Sequence, residues 1–126
     1  MDVDAIRVYE IIAQNNRFSS PFSEENGYYI WTEHEAADES VVELYLGKLS
    51  YAVQNVDRLI HQAFLEFSSS EDLPEEMWRR LVFDSFVLEP QRKEISCCLT
   101  NSDFMFGHFI ECRWDYEWNL LSVWYC

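Results

Sequence analysis

The side chains best suited to chemistry lie between positions 100 and 118, in the stretch TNSDFMFGHFIECRWDYEW. Asp103, His108, Cys112 and Asp115 fall within thirteen positions there. Imidazole, thiolate and carboxylate groups are the ligands that zinc prefers, and a thiol beside an imidazole forms a common pair of nucleophile and base. Either chemistry requires the groups to converge on one point, so the secondary structure that carries them decides whether they can react.

Alternating side chains predict that residues 106–114 form a β-strand. Because a strand directs successive side chains to opposite faces, one face carries Phe106, His108, Ile110, Cys112 and Trp114. In this apolar row we expect His108 to be a neutral, hydrogen-bonded structural residue. It would lie about 13 Å from Cys112 and farther from Asp115, which is too far for a hydrogen bond or a shared metal ion.

The sequence contains no other motif for catalysis or cofactor binding. G-x-G-x-x-G, P-loop, H-E-x-x-H and G-x-S-x-G patterns are missing, and the cysteines lack zinc-type spacing. His34 and His61 could join His108 only through the fold. We therefore predict a protein that has no catalytic residues, metal or cofactor, with an enzyme that uses His108 as an alternative.

The overall charge is the strongest global feature of the chain. Its 126 residues carry a formal net charge of −14, and 48% of them are hydrophobic, which predicts one folded domain over 1–126. This charge repels nucleic-acid phosphates and anionic lipids and attracts basic protein surfaces, although it also serves solubility. The acidic start MDVDAIRVYE and the lack of a long uncharged run predict neither signal peptide nor membrane span, and hence a cytoplasmic protein.

Helical periodicity is clearest from about 41 to 67, where apolar residues recur every three or four positions. Ser40 and Glu43 have the spacing of a capping box at the start of this helix. Gly47 is the expected position of a bend, because glycine is unfavourable inside a helix. LPEEMWRRL predicts a short helix from about 74 to 80, with acidic residues in its first turn and basic residues in its last.

Strand patterns occupy much of the remaining sequence. YYIWTEH at 28–34 is rich in β-formers, whereas residues 3–14 fit a helix or a strand. From 81 onward, LVFDSFVLE, EISCCLT, FGHFIECRW and NLLSVWY predict four antiparallel strands joined by short turns. The predicted fold is α+β: a meander of about four C-terminal strands, with one or two N-terminal strands, packed against the long helix and the short helix.

The part of the chain from about 49 onward resembles a family of uncharacterised small bacterial domains. The third strand of the meander carries the resemblance through aspartate, an aromatic pair, Gly-His and an apolar residue, here Asp103, Phe104, Phe106, Gly107, His108 and Ile110. LVFDSFVLEP at 81–90 fits the preceding strand, but DYEWN replaces the glycine-containing turn of the family. Relatives of this kind occur among immunity proteins of bacterial polymorphic toxin and contact-dependent growth-inhibition systems. The resemblance implies a cytosolic, non-catalytic inhibitor.

Charge and resemblance together favour an immunity protein that binds a cognate toxin domain, expected to be a basic nuclease, and blocks its active site or substrate access. An acidic nucleic-acid mimic that inhibits a host defence or nucleic-acid-binding protein is the alternative. Aromatic rings beside acids are expected to contact the partner, with core packing as the other interpretation of each ring. The predicted binding residues are Glu33, Glu35, Asp38 and Glu39, and Asp115, Tyr116, Glu117 and Trp118, with Tyr28 and Trp31 as further exposed candidates.

All four cysteines, Cys97, Cys98, Cys112 and Cys126, are predicted to be free thiols. Cys97 and Cys98 are adjacent in a strand and therefore point to opposite faces, and a cytoplasmic protein keeps its thiols reduced. Thiol titration of freshly purified, unfolded protein should give close to four equivalents, one for each cysteine of the sequence. A result of half that number or less would contradict the prediction.

Overall fold

A computed structural model describes residues 5–19, 27–32, 38–68, 74–101 and 109–125. In chain order its elements are α1 (Ala5–Ile12), β1 (Gly27–Ile30), α2 (Glu39–Gln54), α3 (Val56–Ser68), a 3-10 helix (Glu75–Arg80), β2 (Val82–Glu89), β3 (Glu94–Thr100), β4 (Ile110–Asp115) and β5 (Leu120–Tyr125). The ambiguous N-terminal segment is thus a helix, and the short helix predicted near 74–80 is present as a 3-10 helix.

The strands form one five-stranded sheet in the order β1-β2-β3-β4-β5. β1 is parallel to β2, with Gly27 opposite Ser85 and Ile30 opposite Leu88. The strands from β2 to β5 form the antiparallel meander that the alternation of side chains predicts. The α+β fold class is therefore confirmed, and the single N-terminal strand among the described residues adds a parallel edge to the meander.

The long helix expected from 41 to 67 is two helices, and the expected position of the bend is wrong. The break is at Asn55, whose backbone N–H and side-chain amide both donate to the Tyr51 carbonyl oxygen, at 3.0 and 2.9 Å. The Asn55 carbonyl oxygen then accepts the first hydrogen bond of α3, from Leu59. Gly47 lies inside α2 on its exposed side, and a methyl group there would meet nothing within 4 Å.

The predicted capping box is also wrong, because α2 begins two residues earlier than the box requires. Asp38 is the N-cap residue, and its carboxylate accepts a 3.0 Å hydrogen bond from the Val41 N–H. Ser40 lies within the first turn, where its hydroxyl donates to the same carboxylate at 2.5 Å. An acidic cap also suits the positive end of the helix dipole, so Asp38 performs the role assigned to Ser40.

One face of the sheet is covered by α2 and α3, and the core lies between these layers. The Tyr45 hydroxyl of α2 donates a 2.7 Å hydrogen bond to the Phe86 carbonyl oxygen, and the two rings meet edge to face. In α3, Phe67 stacks on Tyr125 of β5 with 5.6 Å between the ring centroids. The strand side chains buried in this core are Tyr28, Ile30, Phe83, Phe86, Leu88, Ile95, Cys97, Leu99, Ile110, Cys112 and Trp114. The side chains that alternate with them point to the opposite face.

Arg17 connects the segment after α1 to the other end of the helical layer. Its guanidinium donates to Asp57 of α3 at 2.8 Å, and to the Leu81 carbonyl oxygen at 3.0 and 3.2 Å. It also donates to the Trp78 carbonyl oxygen and lies 5.5 Å from the centroid of the Trp78 ring. Both carbonyls lie at the C-terminal end of the 3-10 helix. The largely buried Arg17 adds a donor to the Trp78 carbonyl, which also accepts from the Leu81 N–H at 3.3 Å, and it supplies donors to the Leu81 carbonyl.

Replacement of Arg17 by alanine should lower the free energy of unfolding by about 1–3 kcal/mol, because it removes the hydrogen bonds from the guanidinium to the Leu81 carbonyl and to Asp57. Chemical denaturation at neutral pH measures the change. Arg92→Ala is the matched control, since Arg92 is exposed in the β2–β3 turn and its loss should change stability by less than about 0.5 kcal/mol. Equal effects of the two substitutions would show that charge, not the hydrogen bonds, explains the loss.

Candidate functional site

The face of the sheet opposite α2 and α3 forms an open groove of about 500 Å³. All of its lining residues belong to strands β1 to β4 or directly adjoin them, and no residue of the described helices contributes. We call this surface the open face; its residues are Gly27, Tyr29, Trp31, Asp84, Ser85, Val87, Glu89, Ser96, Cys98, Phe109, Glu111 and Arg113. Polar and charged groups predominate in its middle, and aromatic rings lie towards its margins.

Tyr29 and Trp31 form the aromatic margin of the open face on the side of β1. The Trp31 side chain is 40% exposed, and its backbone N–H is fixed by a 2.8 Å hydrogen bond to the Leu88 carbonyl oxygen. The Tyr29 ring lies across Gly27, where an added β-carbon would come within 3.1 Å of the ring. Gly27 therefore allows the ring to lie close to the strand, and Trp31 remains available at the surface.

One end of the open face concentrates acidic side chains around a single cation. We call this group the acidic end: Glu89, Glu94, Glu111 and Arg113. Arg113 bonds to the Glu89 carboxylate, and it lies 3.4 Å from both Glu94 and Glu111. Glu89 is only 5% exposed, and Glu94 is its direct cross-strand neighbour. Three carboxylates thus share one guanidinium.

Acidic side chains outnumber the basic one at the acidic end by three to one. Burial by itself would lower the pKa of Arg113, but the hydrogen bond and charge of Glu89, together with Glu111 and Glu94, outweigh burial, so that the pKa is raised. Like charges directly opposite one another on neighbouring strands are destabilising. Asp115 of β4 is the other cross-strand neighbour of Glu94. The arrangement keeps excess negative charge beside Trp31 on an uncovered surface.

The predicted binding residues of the β4–β5 turn have a mainly structural arrangement. The Asp115 carboxylate accepts three hydrogen bonds of 2.9 Å, from the Glu117 N–H, the Asn119 N–H and the Asn119 side chain. The Asn119 side chain contributes most to a lowered pKa of Asp115. Lys48 of α2 donates to the Tyr116 carbonyl oxygen at 2.6 Å and lies over the half-buried Tyr116 ring. Glu117 is exposed.

The expectation of an exposed Trp118 is wrong. Its side chain is 8% exposed and belongs to the core, where it stacks on Tyr51 at 5.1 Å and lies 5.8 Å from Trp114. The backbone of Trp118 has a φ of 65°, a left-handed conformation that turns the ring back beneath α2. Tyr28 is buried as well, because its hydroxyl donates to the Ser19 carbonyl oxygen at 2.9 Å. Of these candidate rings, Trp31 is the exposed one.

The first predicted acidic run is only partly described, since Glu33 and Glu35 lie outside the described residues. Asp38 caps α2, and its pKa is lowered chiefly by the Ser40 hydroxyl and then by the Val41 N–H. Glu39 forms a 3.2 Å ion pair with Arg7 of α1, which also pairs with Glu43. Asp38 and Glu39 therefore have structural partners on the helices and are not joined to the acidic end by any contact among the described residues.

The chemical cluster around His108 cannot be assembled from the described residues, because Asp103 and His108 lie outside them. The described histidine, His61, stacks on Trp78 at 4.3 Å in the helical layer, away from the open face. Cys97 and Cys112 are buried neighbours across β3 and β4, and burial raises the pKa of the Cys97 thiol well above its usual range. Cys97, Cys98 and Cys112 carry thiols and form no disulfide, as predicted; Cys126 is outside the described residues.

The sequence did not predict the acidic end as a site, although local patterns gave information on each of its residues. The alternation of β4 assigns Glu111 and Arg113 to the polar face. Glu89 and Glu94 flank the turn at 90–93, and a hairpin register that pairs them could have been proposed. The approach of Arg113 to Glu89 crosses β3, however, and such a contact between strands that are not neighbours is not encoded in local spacing.

Within the described ranges, no three His, Cys, Asp or Glu side chains are arranged so that they could hold a metal ion. The helices described there are also too short or too polar to cross a membrane. Comparison of the chain with protein-family profiles, curated proteins and solved structures gives no match.

The Asp115 carboxylate should stabilise the β4–β5 turn in a pH-dependent manner. Because folding lowers its pKa below the ordinary value of 3.8, its contribution is fully present above about pH 5 and is lost as the pH falls through the folded pKa. The denaturant midpoint of Asp115→Ala should therefore lie below that of the unmodified protein at pH 7, and the difference should shrink near pH 2.5. A difference that is the same at both pH values would contradict this role of the charge.

Proposed function

We propose that this protein is an immunity protein that binds a cognate toxin domain, a basic nuclease, through the open face. The observation that carries the proposal is the acidic end, in which three carboxylates share Arg113 beside the exposed Trp31. Three carboxylates around one guanidinium repel one another, which lowers stability. A lysine or arginine from a partner would relieve this repulsion. The unfavourable charges of the acidic end would thus serve to bind a basic partner.

The partner is proposed to be a protein with a basic surface. The net charge of −14 would speed association with a cationic cleft, and charge at the rim acts mainly on the association rate. Tryptophan and tyrosine are frequent energetic anchors of interfaces, which suits Trp31 and Tyr29 at the margin of the groove. Nucleases that cut RNA or DNA need basic clefts for phosphate, so occupation of such a cleft by the acidic end would block substrate access.

The placement of the acids supports the toxin partner over nucleic-acid mimicry. A mimic of a phosphate backbone would require carboxylates at regular spacing along the surface. The carboxylates of the open face instead cluster around one arginine next to an aromatic margin, while Glu39 and Glu43 are engaged by Arg7. A cytoplasmic location, where such toxins attack nucleic acid, belongs to the same proposal, as does the absence of catalysis by this chain.

The proposal can be tested with the toxin domain encoded by the gene that adjoins this one. Co-expression of this protein should restore growth to bacterial cells that produce the toxin domain, and the two purified proteins should form a complex and abolish nuclease activity. A neighbouring gene with no toxin domain, or a toxin domain that remains active with this protein in excess, would contradict the proposed function.

Within that complex, Trp31→Ala should weaken binding at least 10-fold, mainly by faster dissociation, if Trp31 is an interface anchor worth more than about 1.4 kcal/mol. Surface plasmon resonance measures both rate constants. Tyr9→Ala is the matched control, because Tyr9 has a similar exposure of 48% and lies on α1, away from the open face. Equal affinities of the two variants would exclude the open face as the binding surface.

A further inference from the structure

The outer edge of β5 has the properties of a surface that pairs with another strand. β5 is the terminal strand of the sheet, and no described strand lies beyond it. Its sequence, LLSVWY, has neither charge nor proline, although charged residues make up 25% of the chain. Edge strands usually carry lysine, proline or an inward charge that prevents pairing with other chains. β5 uses none of these devices.

The side chains of this edge are also unusually apolar for an exposed position. Leu121 is 50% exposed and Trp124 is 58% exposed, and they lie at opposite ends of the strand. Leu65 of α3, which packs against β5, extends the apolar surface on the helical side. Exposed apolar side chains thus border the strand edge on both sides of the sheet, Leu65 and Leu121 on the helical side and Trp124 on the open face. Exposed apolar surface of this kind is typical of interaction sites.

Carboxylates flank this uncharged edge on both sides of the sheet. Glu111 of β4 is the cross-strand neighbour of Trp124, on the open face. On the helical side, Glu66 lines a recess together with Leu120 and Leu121, and Glu117 lies in the turn that precedes β5. A segment that pairs with β5 would thus place uncharged residues against the strand and would be favoured by basic residues at its ends.

We infer that the β5 edge accepts an extended segment of a basic partner, which adds a sixth strand to the sheet through backbone hydrogen bonds. The inference rests on the proposed function and specifies how the same partner is bound. Glu111 belongs both to the open face and to the border of this edge, so one partner can contact both surfaces. A second copy of the chain fits less well, since pairing would bring two chains of charge −14 together and place their flanking carboxylates side by side.

A synthetic peptide can test the edge without the toxin domain. The probe is a fluorescent peptide of alternating valine and threonine with two lysines at each end, and its affinity is measured by fluorescence anisotropy. A second peptide of the same sequence carries N-methyl groups on alternate backbone nitrogens, so that it cannot form a ladder of hydrogen bonds. The methylated peptide should bind at least about 10-fold more weakly, and a third peptide with glutamates in place of lysines should also bind more weakly.

Substitution of the edge supplies an independent readout. The double variant Leu121→Ser with Trp124→Ser should lose peptide binding, whereas Leu44→Ser, which changes an exposed leucine of α2, should retain it. Hydrogen exchange should show that the lysine-flanked peptide slows exchange of β5 amides in the unaltered protein. This measurement does not depend on whether the double variant folds.

Each negative result has a distinct meaning. Equal binding of the methylated and unmethylated peptides, or an absence of binding by both, would overturn pairing at the β5 edge. Light scattering that shows a dimer, and a monomer for the double variant, would assign the edge to a second copy and also overturn the inference. If the peptide does not bind but the toxin domain binds in a Trp31-dependent manner, pairing at the β5 edge is overturned and the proposed function stands. If the peptide binds but the toxin domain does not, the proposed function is overturned and pairing at the β5 edge stands.

Discussion

The packing of α2 against the centre of the sheet is the constraint on which the rest of this structure depends. Tyr45 joins α2 to β2 by a hydrogen bond and an edge-to-face ring contact, and Tyr51 stacks on Trp118 after β4. Because of these contacts, the apolar side of each central strand packs against the helices. Because side chains of a strand alternate, the polar and aromatic side chains of β1 to β4 then point to the opposite face. The open face is thus a consequence of core packing.

The acidic end shows how a stable core can support an unfavourable surface. Glu89 is almost fully buried and is held by Arg113, but Glu94 and Glu111 compete for the same guanidinium. Removal of one partner from a buried ion pair is more damaging than replacement of both by apolar groups, so such pairs are poor devices for stability. In the proposed function they serve as recognition elements. In the proposed complex, a basic partner would supply the charge that the resident arginine cannot.

The two proposed surfaces form one continuous region. Glu111 borders the groove of the open face and is opposite Trp124 on the terminal strand, so a partner that covers the acidic end would also reach β5. Side-chain recognition at the open face and backbone pairing at the edge have different physical bases. Charge would govern association with the first, whereas shape and hydrogen bonding would hold a segment at the second.

The sequence by itself determined the elements whose signals are local. Period-two alternation located β2 to β5 and the apolar faces of β3 and β4, and helical spacing located the buried side of α2 and α3. Those signals arise from the geometry of a single strand or helix, and hence survive in any tertiary context. The parallel position of β1, the break at Asn55 and the choice of Asp38 as cap required the fold, because several residues near each position were compatible with those roles. Tertiary structure alone likewise decided two further features. Trp118 is buried because its backbone is left-handed in a turn. Glu89 contacts Arg113 across an intervening strand, and no spacing along the chain specifies such a contact.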